Sequence, residues 1–549
     1  MNSRMPRWST ALAAVVFCSA QLVACGSDDS NGGGGSGGSG ATGGFGGVGG
    51  TGGFGGGTGA TGGSGGTGAT GGSGGTGATG GTGGVAGSGG VAGAAGSGGA
   101  AGAAGSGGAA GAAGSGGAAG AAGAAGSTGA SPSVYFQGDF ATNGTYNVGA
   151  VSYPGGAQTL TLAGMGGDGI DGLAVSADGS KIAVAGTDTA TDPAKLIIYD
   201  ASGNNGVTVA TAPAVGRVIS NPVFSKDGNW VGFTGSLETA DGGQNLYVVP
   251  VTGTSTPKLL SPASTAAAQG VSHLAWAADN KTIAYTGDLV TDNVFGLWTV
   301  DSSATTPAPV EIVTQAELGA NGDVGSTLAF DSADKLYFTS NFGGLYRLYS
   351  VNKDGSSRAQ VGGTNLTNGG GEAAIGVFAM SPSGTKIAFS ADAPTANLGE
   401  VYVLSLTGAA TAQLVSAMQS GAPSGTNGPN IFETSPLVWS PDESMLATVA
   451  DWIVNSGDGD NDYSVFVLPT SGTAGGVRIF DSPGNNQDAN DVQFSSDSKR
   501  LFVRGDLAVN NDTELYSTTD LTTADQTASS LVDQGVVSGG DIFNIVAVP

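Results

Sequence analysis

The sequence predicts an all-β protein: one β-propeller of eight four-stranded blades, preceded by a long glycine-rich tether. Three observations predict it. One strand–turn–strand phrase recurs seven times, partial copies of the same phrase stand at both ends of the repeating region, and most of the 105 glycines among 549 residues crowd into the first quarter of the chain. Domain boundaries follow: 1–24 a secretion signal, 25–132 a tether, 133–549 the propeller. The foldable part is therefore roughly 415 residues, one large domain rather than several.

Arg4 and Arg7 make a positive n-region, and Ala11 to Ala20 an apolar stretch too short to span a bilayer permanently. Leu22-Val23-Ala24-Cys25 follows at once and resembles a lipobox. The resemblance implies cleavage before Cys25 and acylation of its thiol and new amino terminus; an ordinary cleaved signal with a chance cysteine is the alternative. Several acyl chains on one residue hold a protein stably at a membrane where one would not. Gly26-Ser27 lacks the aspartate that retains some lipoproteins at the inner membrane. By resemblance the outer membrane is favoured, on its periplasmic or its surface face. Cys18 leaves with the signal, so the mature chain keeps one thiol and no internal disulfide forms.

Glycine then falls at every third position from Gly44 to Gly80 and again from Gly84 to Gly129. A collagen triple helix needs this Gly-X-Y period, because only glycine fits at its axis, but it also relies on imino acids, and this stretch has no proline. Too little apolar surface is present to offset the entropy of ordering. A disordered linker results, and about 100 such residues give an end-to-end distance of about 50 to 60 Å. Assembly of chains through the Gly-X-Y segment is the alternative.

After Ser131-Pro132 short β-rich runs begin. The repeating phrase is seen in Asn221-Pro222-Val223-Phe224-Ser225-Lys226-Asp227-Gly228 followed by Trp230 to Phe233, in Phe378 to Gly384 followed by Lys386-Ile387-Ala388-Phe389, and in Leu437 to Asp442 followed by Met445 to Ala447. It recurs at Leu173 to Val184, Leu274 to Tyr285, Leu328 to Phe338 and Val492 to Val503. Each copy reads as an inner strand, a tight turn, a second strand, a variable loop, a third strand such as Leu246 to Val249 and an outer strand such as Lys258 to Leu260. Asp and Ser suit the turn because they bond their own backbone, and Gly because it accepts positive φ. Four strands per repeat make a propeller blade.

Val134 to Asp139, Tyr146 to Val151 and Thr159 to Leu162 match strands two, three and four of a blade without its first strand; Ile542 to Val548 matches a lone first strand. The two fragments are expected to share one blade and close the ring without an open edge. Eight blades follow, or seven if the fragments pack outside the ring.

The turns Ser440-Pro441-Asp442 and Ser381-Pro382-Ser383-Gly384, the latter followed by Ile387-Ala388-Phe389, resemble the TolB-type repeat. The resemblance covers the folded part of the chain. It implies a periplasmic or surface platform that binds protein, although such propellers also include polysaccharide lyases and the non-catalytic domain of prolyl peptidases. No hydrolase domain is expected to follow, since Pro549 falls inside the last predicted strand.

The net charge of −26 lies almost entirely in the folded part, because residues 30–138 carry no charge. No basic stripe is present, which sets nucleic acid aside. A lyase of this fold is expected to use a histidine cluster, yet His273 is the one histidine. Arg504-Gly505-Asp506 reads like an adhesion tripeptide, but Gly138-Asp139 and Gly287-Asp288 occur at the same place in their repeats.

In a propeller the loops between strands two and three, and those leading into strand one, open on one face; the Ser-x-Asp-Gly turns lie on the other. The first set holds Asp139, Asp188, Asp241, Asp288, Asp292, Asp392, Asp451, Asp506 and Asp512, whereas Lys181, Lys226, Lys281, Lys335, Lys386 and Lys499 fall in the second. An acidic loop face is expected to bind a cationic partner in a salt-sensitive way; turn chemistry alone is the other explanation for so many aspartates. Asp458-Gly459-Asp460-Asn461-Asp462 alternates acidic oxygens in the manner that suits calcium, but lacks the glycine and terminal glutamate of an EF-hand loop. No other cofactor is implied. The reading reached from the sequence is a monomeric, membrane-anchored, non-enzymatic propeller that binds an envelope protein. A metal-dependent lyase-like enzyme and a structural envelope protein are the alternatives.

Overall fold

The computed structural model describes residues 133–548, apart from 143, 153–155, 166–168, 239–242, 265–268, 320–321, 343, 363–365, 367–372, 394–398, 408–410, 417–435, 453–462, 472–474, 482–486, 509–511, 529 and 532–540. The signal, Cys25, the tether, Asp241, Asp458, Asp460 and Asp462 lie outside the described residues.

Eight antiparallel sheets stand around a common axis. Their inner strands are Ile542–Ala547 for blade 1, Gly169–Val175 for blade 2, Ile219–Phe224 for blade 3, Val271–Trp276 for blade 4, Val324–Phe330 for blade 5, Ile375–Met380 for blade 6, Leu437–Trp439 for blade 7 and Ala489–Phe494 for blade 8. Blade 1 is the shared blade expected from the sequence. Val134–Thr142 pairs on one side with Thr145–Ser152 and on the other with Ile542–Ala547, in the register Val134↔Ala547, Phe136↔Ile545. The count is therefore eight, not seven.

The apolar residues explain why the sheets stack. Buried side chains fall into eight clusters, one at each junction between neighbouring blades. The junction of blades 8 and 1 is built like the others, with Phe502 and Leu515 of blade 8 against Val134, Phe136, Val151, Ile542 and Ile545 of blade 1. Within blades 3 to 6 the second and third strands place an aromatic pair face to face at directly opposed positions: Phe233 and Tyr247, Tyr285 and Trp298, Phe338 and Tyr349, Phe389 and Tyr402, with centroids 5.6 to 5.8 Å apart. Such pairs contribute about 0.5 to 1.5 kcal/mol each beyond the area they bury. Trp276 and Trp439 close two junctions nearer the axis, each donating its indole N–H to an inner-strand carbonyl of the preceding blade, Val223 and Ala379.

Blade 8 departs from the four-strand expectation: its described sheet has three strands. Beyond Glu514–Ser517 the chain is rich in Ser, Thr and Asp and folds into a turn in which Asp520 accepts the Thr522 and Thr523 N–H groups. The chain then crosses to the outer strand of blade 7, where Asp525 and Gln526 N–H bond to Arg478 and Ile479 carbonyls and the Arg478 guanidinium pairs with Asp525 at 2.7 Å. It returns to blade 8 only at Ser530 and Leu531. Backbone groups that would have formed a fourth strand are spent on the neighbour.

The turn face shows how the repeated phrase works. In Ser176-Ala177-Asp178-Gly179 the serine hydroxyl donates to Asp178 at 2.6 Å and accepts the Lys181 N–H at 3.0 Å, while Asp178 takes the Ser180 N–H at 3.0 Å. The same three bonds recur at Ser225 and Asp227, Ser440 and Asp442, and Ser495 and Asp497. Burial alone pushes the Asp178 carboxyl up, but the bonds from Ser176 and Ser180 and the charge of Lys181 outweigh it and hold the group at about 2.

The fourth turn residue has positive φ in every one of these turns, a conformation that glycine adopts without strain. Yet Asn280, Asp334, Glu443 and Ser498 occupy it in four blades. Each uses its side chain to accept a backbone N–H from the preceding blade's turn: Asn280 Oδ1 from Asp227, Asp334 Oδ1 from Ala278, Glu443 Oε1 from Ser383 and Ser498 Oγ from Asp442, at 2.6 to 3.1 Å. These bonds lace adjacent blades together. Asn280→Gly is accordingly expected to lower stability by about 0.5 to 1 kcal/mol in urea unfolding, since a lost bond outweighs the relieved backbone. Ser357→Gly, at the same φ but in an exposed turn within one blade, is the control and is expected to stabilise slightly.

Candidate functional site

In five blades the loop face is organised by a clasp from the second strand to the segment leading into the first. In blades 4 and 8 this strand ends in Gly287 and Gly505, and in blade 1 Gly138 sits at a register shift within Val134–Thr142; a Cβ there would stand 2.6, 2.4 and 2.1 Å from the carbonyl oxygen of Gly270, Asp488 and Asp541 respectively. Glycine is required by that close approach. The next residue is an aspartate that bonds twice to the residue whose carbonyl lies so near. Asp139 donates its N–H to the Asp541 carbonyl and accepts the Asp541 N–H on Oδ1; Asp288 does the same with Gly270, and Asp506 with Asp488. Asp392 repeats the clasp with Ala374 in blade 6, and Asn341 with Asp323 in blade 5. The second carboxylate oxygen of Asp139 takes the Gly144 N–H, and that of Asp288 the Asn293 N–H, which fixes the loop to strand three as well.

Four of the nine aspartates assigned to the loop face are therefore buried and engaged within their own blades: Asp139, Asp288, Asp392 and Asp506. They shape the face rather than project from it. Asp188, Asp451 and Asp512 are half-buried, and Asp292 is exposed. Asp241 lies outside the described residues, as do Asp458, Asp460 and Asp462, so the calcium reading of that loop is not addressed by the fold. Among the described residues no group of three or more His, Cys, Asp or Glu side chains is placed to hold a metal ion.

The Arg504-Gly505-Asp506 tripeptide is interior. Asp506 is 9% exposed and holds the Asp488 N–H at 2.5 Å, and Arg504 faces Asp491 across the sheet. It is the blade-8 copy of the clasp. His273 lies on the inner strand of blade 4 with Nδ1 3.1 Å from Ser272 Oγ, and burial pushes its imidazole down to about 4, so the ring is neutral at pH 7.

Three lysines of the turn face pair with acids. Lys353 meets Asp279 at 2.7 Å and Asp334 at 3.6 Å, Lys386 meets Glu443 at 3.4 Å, and Lys499 meets Asp497 at 3.9 Å. The exposed large apolar side chains are distributed differently. Val215, Val218, Val290 and Leu345 all lie in loops of the opposite face, on blades 3, 4 and 5, whereas Val207, Trp230 and Val310 begin strands at the turn side. Exposed Glu238 and Asp292 belong to the same loop set on blades 3 and 4. Sequence reading missed this apolar group, because loop aliphatics have no period to mark them.

Among the described residues no helix is long and apolar enough to cross a membrane. No protein-family model matches the chain, and no curated protein matches it. Among solved structures it is similar to a putative TolB from Agrobacterium tumefaciens, at 18% identity and a TM-score of 0.30 over 52% of this chain and 89% of that one. It is also similar to TolB from Acinetobacter baumannii, at 14% identity and 0.31 over 62% and 81%. An oligogalacturonate lyase in complex with manganese matches at 14% identity and 0.41, over 63% and 87%.

Proposed function

We propose that the chain is a lipid-anchored, extracytoplasmic propeller of the TolB type that binds a protein partner through its loop face and performs no catalysis. The observation that carries this reading is the group of exposed aliphatic side chains on blades 3 to 5, Val290 being 67% exposed. Exposed aliphatics that share these loops with exposed Glu238 and Asp292 fit a partner that presents apolar side chains among basic ones. A second support is directional. The chain joins the propeller at Ser133, at the turn-side end of Val134–Thr142, so the loop face is turned away from the point of attachment. Cys25 would hold the protein at a membrane, the outer one by resemblance, and residues 25–132 would give it reach.

A photo-crosslinking residue placed at Val290 or Leu345 of the full-length protein in its native cells tests the reading, with Lys226 on the turn face as the control. A discrete protein adduct from the first two positions, weakened by raised salt and missing from the third, is the expected result. Adducts equal at all three positions, or none at any, would sink it.

A further inference from the structure

We propose that Asp491 makes the junction between blade 8 and the shared blade 1 responsive to pH, so that the non-covalent closure of the ring opens more readily as its carboxyl ionises. Asp491 stands on the inner strand of blade 8, just after a bulge, and is fully buried. Its position, four residues before the first turn serine, corresponds to Asn221 in blade 3 and Gly172 in blade 2. Asn221 donates its amide N–H to the Ser272 carbonyl of blade 4, and a Cβ on Gly172 would stand 2.5 Å from Pro222 of blade 3. This position addresses the following blade, and for blade 8 the following blade is blade 1.

The carboxyl is poorly accommodated as an anion. Oδ1 accepts the Val492 N–H at 2.8 Å, but Oδ2 has no partner, and neither does Nε of Arg504 directly across the sheet. Among the described residues Arg504 is the one charge that faces it. The strands packed against this inner strand from blade 1, Ile542–Ala547, and from blade 7, Leu437–Trp439, Met445–Ala450 and Ser464–Pro469, contain no titratable side chain. Burial pushes the Asp491 carboxyl up to about 7, against the pull of Arg504.

The sign follows from linkage. Once the junction opens, Asp491 regains water and an ordinary acidity, so between about pH 4 and pH 7 opening releases a proton and grows easier by up to tenfold per pH unit. Above pH 7 the carboxyl is ionised in both forms and the dependence levels off.

Hydrogen exchange of the full-length protein from pH 5 to 9, corrected for the intrinsic chemical rate, reads this directly. Peptides from Ile542–Ala547 and Val134–Thr142 are expected to show opening constants that rise to near pH 7 and then level, relative to peptides from blade 4. Asp491→Asn should flatten the rise. Arg504→Gln, which removes the charge favouring the anion, should move the levelling point to higher pH, a shift that a purely structural loss would not produce. A wild-type profile already flat between pH 5 and 7 would overturn the proposal, whatever the variants do; so would an unchanged slope in Asp491→Asn.

Discussion

Replacing Ile545 with alanine is expected to lower the unfolding free energy by about 3 kcal/mol, within the range of buried aliphatic truncations. Removing Ile542–Pro549 altogether is expected to abolish cooperative unfolding. Ile545 is fully buried in the cluster that joins blades 8 and 1, directly opposite Phe136 in the pairing of Val134–Thr142 with Ile542–Ala547. Without that strand, Val134–Thr142 loses every hydrogen bond on its axial side and presents an unpaired edge, which invites pairing with a second chain. Denaturant unfolding followed by tryptophan fluorescence, together with sedimentation, distinguishes the two cases. The point variant should unfold in one transition at lower denaturant; the truncation should give a broadened transition and self-association. A truncated chain that remains monomeric and unfolds as sharply as the full chain would show that closure contributes little.

The second large effect is expected at the clasp. Asp288→Ala leaves the Gly270 and Asn293 N–H groups without the carboxylate they now bond, in a position 4% exposed, and should cost about 2 to 3 kcal/mol. Asp288→Asn retains an acceptor oxygen and should cost under about 1 kcal/mol, because Asn341 already performs the same clasp in blade 5. The pair of variants separates two explanations for the wealth of aspartate on this face. If the carboxylate charge at this position were used for binding, Asn would lose partner capture while stability held. If it is used for folding, stability falls with Ala and capture follows stability. Thermal melts set beside crosslinking yield at Val290 decide between them.

Much of the fold could be read from the chain because its signals are local. Ser225 and Asp227 find their partners within a few residues, so the turn and the strands it joins are written in one short stretch. The lone strand at Ile542 was recognisable for the same reason: its alternation matches other inner strands residue by residue. What could not be read depends on register between distant segments. Asp139 is consumed by Asp541, 402 positions away, and nothing beside Asp139 says whether its carboxylate looks outward or in. Asn280, Asp334, Glu443 and Ser498 resemble imperfect copies of a turn glycine until the neighbouring blade is in place and their side chains are seen to cross to it. The outer position of blade 8 was expected as a strand because every other blade has one; the salt bridge and backbone bonds that carry it to blade 7 involve Arg478, which belongs to a different repeat. The opposition of Asp491 and Arg504 is likewise hidden, since the pair stands 13 positions apart and Arg504 reads first as the opening residue of Arg504-Gly505-Asp506.

The shared blade also decides how the domain bears mechanical load. Traction applied through residue 133 enters Val134–Thr142, a strand flanked on both sides, by Thr145–Ser152 and by Ile542–Ala547. A pull along that strand must break two ladders of hydrogen bonds together, in shear, before any blade can peel away. The last strand of the propeller thus acts as a latch on its first, and force entering at residue 133 meets that latch before any blade can unravel.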